Sequence, residues 1–155
     1  MKKTRAIEIL SAAKAPFEVR EFAAAEFTAE EASEQLGIPL AQVFKTLVLR
    51  GEKHGELMAV VPGDRELSLK KLAHAAGEKR VEMAKLEELQ RLTGYLKGGV
   101  SPLGSKKRMP VYIDASAREH ERISVSAGLR GVQLWLPVSS LESAAHASVV
   151  ELAEG

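Results

Sequence analysis

The sequence predicts one α/β domain of the α+β kind, residues 1–155, with helices packed on a mixed, mostly antiparallel sheet. Helical and strand-like segments alternate along the chain. Two pairs of the strand-like segments are joined by short glycine-bearing turns. They read as hairpins, which a doubly wound parallel sheet does not contain. With 45% apolar and 28% charged residues over 155 positions, the chain can build one sizeable core.

The elements follow in order. Thr4 can cap a helix running to Lys14, with Ile7, Leu10 and Ala13 near helical spacing and Pro16 past its end. Phe17 to Phe22 alternates apolar and polar residues, as a half-buried strand does. Thr28-Ala29-Glu30-Glu31 is a capping-box pattern, and the helix it opens stops at Gly37. A short turn at Pro39–Gln42 precedes the strand Val43–Leu49. Gly51–Gly55 turns the chain into a partner strand, Glu56–Val61, which ends at Pro62-Gly63. Ser68 caps a helix over Leu69–Ala76 that Gly77 stops. Val81–Met83 is extended, and Lys85–Leu92 is helical up to Gly94. Pro110–Asp114 and Arg122–Ser126 are strands. The second is joined through Ala127–Gly131 to Val132–Leu136, the second hairpin. A last helix starts at Ser139 or Ser140 and runs to His146.

Composition limits the chemistry. There is no cysteine, so thiolate catalysis, thiolate metal sites and disulfides are excluded. The four histidines, His54, His74, His120 and His146, have no metal-ligand spacing and read as surface residues. No Gly-x-Ser-x-Gly elbow, Rossmann loop or P-loop is present. No cofactor or metal is expected. The net charge of +1 leaves any nucleic-acid affinity to local patches. No apolar run approaches the roughly 18 residues of a membrane span, and Glu8 interrupts the apolar stretch a signal peptide would need. A soluble cytoplasmic protein is expected, with neither membrane nor DNA as partner.

Two features stand out. Residues 93–108, Thr-Gly-Tyr-Leu-Lys-Gly-Gly-Val-Ser-Pro-Leu-Gly-Ser-Lys-Lys-Arg, hold four of the 12 glycines and end in three adjacent cations. They read either as a shaped loop of available backbone N–H groups beside positive charge, or as a surface turn with a solvated basic tail. Lys45 lies inside an apolar strand, where an ammonium is costly unless it is paired or reaches a cavity. Strand alternation by itself would let it snorkel at an edge. Ser126-Ala127-Gly128 is either hairpin geometry or a hydroxyl and backbone donors beside a pocket. The basic groups Lys70-Lys71, Lys79-Arg80, Lys106-Lys107-Arg108 and Arg130 are solvated faces singly, and a phosphate track if they share a side.

Val43-Phe44-Lys45-Thr46-Leu47, Lys79–Met83, Thr93-Gly94-Tyr95, Gly98-Gly99-Val100-Ser101-Pro102-Leu103-Gly104 and Ser124–Gly128, in that order, closely resemble the YbaK/EbsC family. That family comprises free-standing aminoacyl-tRNA deacylases, best known for clearing Cys-tRNA(Pro), and is related to the editing domain of bacterial prolyl-tRNA synthetases. The resemblance covers nearly the whole chain. It implies a curved mixed sheet, aminoacyl-tRNA as substrate, and prolyl-tRNA synthetase as a possible partner. It implies catalytic roles for Lys45, Gly98, Gly99 and Ser101, with Gly98–Pro102 beside the scissile ester. It implies a substrate pocket drawn from Phe22, Thr28, Thr46, Pro102, Ser126, Gly128 and Gln133. Lys106, Lys107, Arg108 and Arg130 would meet the tRNA. Gln133 replaces an acid found in some Cys-specific members, and Thr28 stands where an aromatic can line the pocket. Both departures bear on amino-acid specificity. The rival readings are an editing hydrolase of other specificity, such as for Ala-tRNA(Pro), a non-catalytic module that binds aminoacyl-tRNA or a synthetase, and a regulatory protein with a small-molecule pocket.

Overall fold

The computed structural model describes residues 3–23 and 25–155. The elements run α1 (Arg5–Ala12), β1 (Glu18–Glu21), α2 (Ala29–Leu36), β2 (Phe44–Gly51), β3 (Gly55–Pro62), α3 (Leu69–Ala76), β4 (Val81–Met83), α4 (Leu89–Thr93), β5 (Val111–Asp114), β6 (Ile123–Leu129), β7 (Val132–Leu136), α5 (Val138–Ala145) and β8 (Ser148–Val150). The cap signals act as read. Thr4, Thr28 and Ser68 each accept an N–H from the first turn of their helix. Gly37 and Gly77 end α2 and α3 in the left-handed conformation.

The strands form two sheets, ordered β1-β7-β6 and β4-β2-β3-β5-β8. Four of the pairings are antiparallel; β3–β5 and β5–β8 are parallel. A parallel bridge between Val43 and Ser124 ties the start of β2 to β6, so the sheets meet at a seam. On one face of the larger sheet Phe44, Val48, Met58, Val60 and Ile113 join residues of α1, α5, β6 and β7 in the main core. On the other, Leu49, Leu57, Ala59 and Val61 pack with Leu72 and Ala73 of α3 and with Leu152.

Several expectations are corrected. The expected helix over Lys85–Leu92 is a 3-10 turn, Leu86–Glu88, followed by the short α4. The Glu88 carboxylate accepts the Lys85 N–H and is gripped by Arg50 and Arg91, which tightens that turn. α5 begins at Val138 with Pro137 ahead of it, one or two residues before the expected serines. β8 and a 3-10 turn at Ala115–Glu119 were not foreseen. Asp114 organises both: Oδ2 accepts from Ser116, while Oδ1 accepts the N–H groups of Leu152 and Ala153 at 2.8 and 2.9 Å.

Candidate active site

β4 pairs only with Leu49–Gly51, so β2 has an open outer edge near its start. There, at the seam between the sheets, lies a cavity of about 440 Å³. Val43 and the first residues of β2, Phe44 to Val48, line it from both faces of the strand. The β6–β7 hairpin contributes Ser126 and Gln133, which stand directly opposite each other across the ladder. The glycine-rich loop contributes Lys97, Gly98 and Val100; Glu26–Glu30 forms one wall, and Met83, Ala84, Leu86 and Leu89 the other.

Lys45 is half-buried in this cavity and, among the described residues, has no carboxylate partner. Leu96–Gly99 is a β-turn closed by the Gly99 N–H donating to the Leu96 carbonyl at 2.8 Å. Gly98 takes its third position with φ +86°, as a type II turn requires. The N–H groups of Gly98 and Val100 find no acceptor among the described residues. The Glu31 carboxylate shapes the opposite wall by accepting N–H groups from Ala25, Glu26 and Thr28. Those backbone hydrogen bonds, led by that of Ala25, hold its pKa below the usual carboxylate range, against a smaller opposing effect of burial. The tethered segment carries Phe27 in a left-handed conformation at φ 58°, uncommon for an aromatic residue and found where a clamp is held in place. Phe22 meets the Phe27 ring edge-on at 6.4 Å, and the Arg130 guanidinium lies over it at 5.9 Å.

The aminoacyl-tRNA editing domain model matches residues 23–144, which include every cavity-lining residue. This chain belongs to that family. The Enterococcus faecalis (strain ATCC 700802 / V583) protein EbsC, named as a candidate Cys-tRNA(Pro)/Cys-tRNA(Cys) deacylase, is 43% identical over 152 residues, 97% of this chain and 93% of its own length. The crystal structure of a candidate trans-editing enzyme for prolyl tRNA synthetase superposes with a TM-score of 0.86 at 30% identity, covering 97% of this chain and 93% of that one. The proline–tRNA ligase of Thermosipho africanus (strain TCF52B) is 39% identical over 80 residues, 52% of this chain and 14% of the ligase.

Within this editing domain the cavity gathers Lys45, Gly98, Thr28, Thr46, Ser126 and Gln133 from among the residues expected at the site. Thr46 Oγ1 is buried without a hydrogen-bond partner. Gln133, 8% exposed, accepts the hydroxyl of the fully buried Ser124 on its amide oxygen at 2.7 Å, which leaves Nε2 as a donor at the cavity.

Other expectations need correction. The Gly99 N–H is spent on Leu96, and a Cβ at Gly99 would press on the Leu129–Arg130 backbone; Val100 takes its place on the cavity wall. Ser101 is fully buried, and its hydroxyl accepts the Leu103 N–H. Phe22 backs Phe27 and does not line the cavity. The Thr28 side chain caps α2, and the aromatic wall comes from the adjacent Phe27. Gly128 donates to Ser126 Oγ and leaves room for the Tyr95 ring, which a Cβ would meet at 2.6 Å. Pro102, Lys106 and Arg108 line a separate groove. Lys107 pairs with Glu56, and Arg130 donates to the Lys97 carbonyl. The residues sequence reasoning missed are Glu26, Phe27, Glu30, Val100 and the apolar wall from Met83 to Leu89; Glu30, Met83 and Val100 lay inside motifs singled out for other reasons, and the rest carried no signal.

The turn geometry gives a first prediction. Gly98→Ala forces a side chain into φ +86° and puts a Cβ 3.1 Å from that of Phe27. It should cost about 1–2 kcal/mol of stability and most of the activity, because both walls of the cavity shift. Thermal denaturation and a deacylation rate measured on the same preparation test this, and a fully active Gly98→Ala protein would contradict it.

Proposed function

We propose that this chain is a trans-editing aminoacyl-tRNA deacylase that cleaves the ester between a wrong amino acid and the terminal ribose, with Cys-tRNA(Pro) as the best-fitting substrate. The observation that carries this is one cavity that, among the described residues, holds an unpaired cation, Lys45, and two N–H groups without acceptors, Gly98 and Val100, but no histidine. A cavity of this size suits a small acyl group together with its ribose.

The roles follow from the geometry. An ester is already activated, so catalysis needs positioning and stabilisation of the developing oxyanion. The Gly98 and Val100 N–H groups supply donors for that charge. Lys45 holds the terminal phosphate or a ribose oxygen as a compact point charge. Glu26 and Glu30, exposed at the mouth, offset the α-ammonium of the acyl group. The nucleophile comes from the substrate: the cysteinyl sulfur bonds to the ester carbon, the carbon–oxygen bond to ribose breaks, and the thiol proton passes to the ribose oxygen. The Gln133 amide nitrogen is a donor beside the acyl side chain, which suits a sulfur gaining negative charge and offers nothing to a methyl group.

Cys-tRNA(Pro) should therefore be deacylated, with release of a cyclic thioester, at least tenfold faster than Ser-tRNA(Pro) or Ala-tRNA(Pro), acyl groups of similar size without the thiol. Equal rates for the three would replace the thiol by a water held at the terminal ribose.

A further inference from the structure

We propose that a second groove, beside the acyl cavity and separated from it by the glycine-rich loop, takes the phosphodiester backbone of the substrate RNA. This rests on the deacylase reading. The groove has a volume of about 710 Å³ and a floor of Met58, Met109 and Val111. Its cations come from two parts of the chain, Arg5 on α1 and Lys106 and Arg108 after the loop, and the His146 side chain at the end of α5 borders it. Among the described residues no aspartate or glutamate lines it.

Arg5, Lys106 and Arg108 have no carboxylate partner among the described residues, as is also true of Arg65, Arg80 and Arg130 outside the groove, while Arg20, Arg50, Arg91, Arg118 and Arg122 each hold at least one. An unpaired basic cluster around a concave wall attracts a polyanion. The loop adds the Gly104 and Ser105 N–H groups, which have no acceptor among the described residues.

The placement fits one ligand spanning both sites. Val48 in the cavity and Met58 in the groove are partners across the β2–β3 ladder. Val100 on the cavity wall and Pro102 on the groove wall are two residues apart, at most about 7 Å. An acylated ribose lodged against Gly98 and Val100 thus has its own strand within reach of Arg5 and Arg108. An acidic protein surface would also be attracted, but the groove adjoins a site whose substrate is itself a polyanion.

Binding of uncharged tRNA, measured against salt concentration, tests this independently of turnover. Arg5→Ala and Arg108→Ala should each weaken binding at low salt and reduce the slope of log K against log salt by about 1. Arg→Lys at either position should restore the slope. Lys107→Ala, whose ammonium is held by Glu56, should leave it unchanged. Wild-type slopes for both alanine variants, with circular dichroism showing them folded, would overturn the proposal. So would variants that bind tRNA normally but lose binding to an acidic polypeptide such as polyglutamate. No deacylation of a mischarged tRNA by wild-type protein that binds tRNA with the expected salt slope would overturn the deacylase reading while sparing the groove.

Discussion

Lys45→Ala lowers kcat/KM for a mischarged tRNA by about 10²-fold and leaves the protein folded. The magnitude is that of removing one preorganised electrostatic contact from a reacting site. The fold survives because Lys45 has no carboxylate partner to leave behind among the described residues, and removing a half-buried, unpaired ammonium relieves desolvation. Its neighbours in β2 keep their ladder with β3, since Lys45 pairs with Val61 through the backbone alone. The kinetic split is informative: a rise in KM alone means uniform binding of the phosphate, and a fall in kcat means a contact made in the transition state. Near-normal turnover by folded Lys45→Ala protein would remove the lysine from the mechanism.

Asp114→Ala has the largest effect expected on stability, about 3 kcal/mol, or roughly 6–12 °C in Tm for a chain of this length. Asp114 is 3% exposed, and its loss strands the N–H groups of Ser116, Leu152 and Ala153. Burial is the strongest single influence on its pKa and acts upward. The hydrogen bonds from Ser116, Leu152 and Ala153 together outweigh it, and the carboxyl titrates below its ordinary value. Because the folded pKa lies below the unfolded one, the ionised group contributes stability that is present above about pH 4 and lost as pH falls through the folded pKa. The gap between wild type and Asp114→Ala is therefore widest near neutral pH and narrows in acid. Glu56 adds to the same acid sensitivity: hydrogen bonds from Lys107 first and Arg50 second bring its pKa down to about 2. Urea titrations at pH 7 and pH 3 check both statements; a gap that stays constant would mean the carboxylate charge is irrelevant.

Much of the architecture was legible because its signals are local. Thr28 with Glu31, and Ser68 with Gly77, each mark helix boundaries within ten residues of sequence. The features that were missed are non-local. β8 is three residues long and is placed by Asp114, which lies more than thirty positions away. Alternation along β2 could not place Lys45, because the cavity lies on the strand's open edge and draws side chains from both faces. The two neighbouring glycines look alike in composition. Only the turn geometry shows that Gly98 takes the positive φ while Gly99 spends its N–H on closing the turn. Phe27 carried no signal at all, since its position depends on a left-handed backbone that the Glu31 carboxylate holds in place.

The central claim is that this editing domain turns over a mischarged tRNA using its own cavity. The most direct measurement mixes the protein with a large molar excess of Cys-tRNA(Pro) and, separately, Pro-tRNA(Pro), and follows the acylated fraction with time. Many turnovers of Cys-tRNA(Pro) per protein molecule are expected, with Pro-tRNA(Pro) left intact and both reactions flat with Lys45→Ala. Protection of the ester, or release of no more than one equivalent per protein, would make the chain a binding module and not a deacylase.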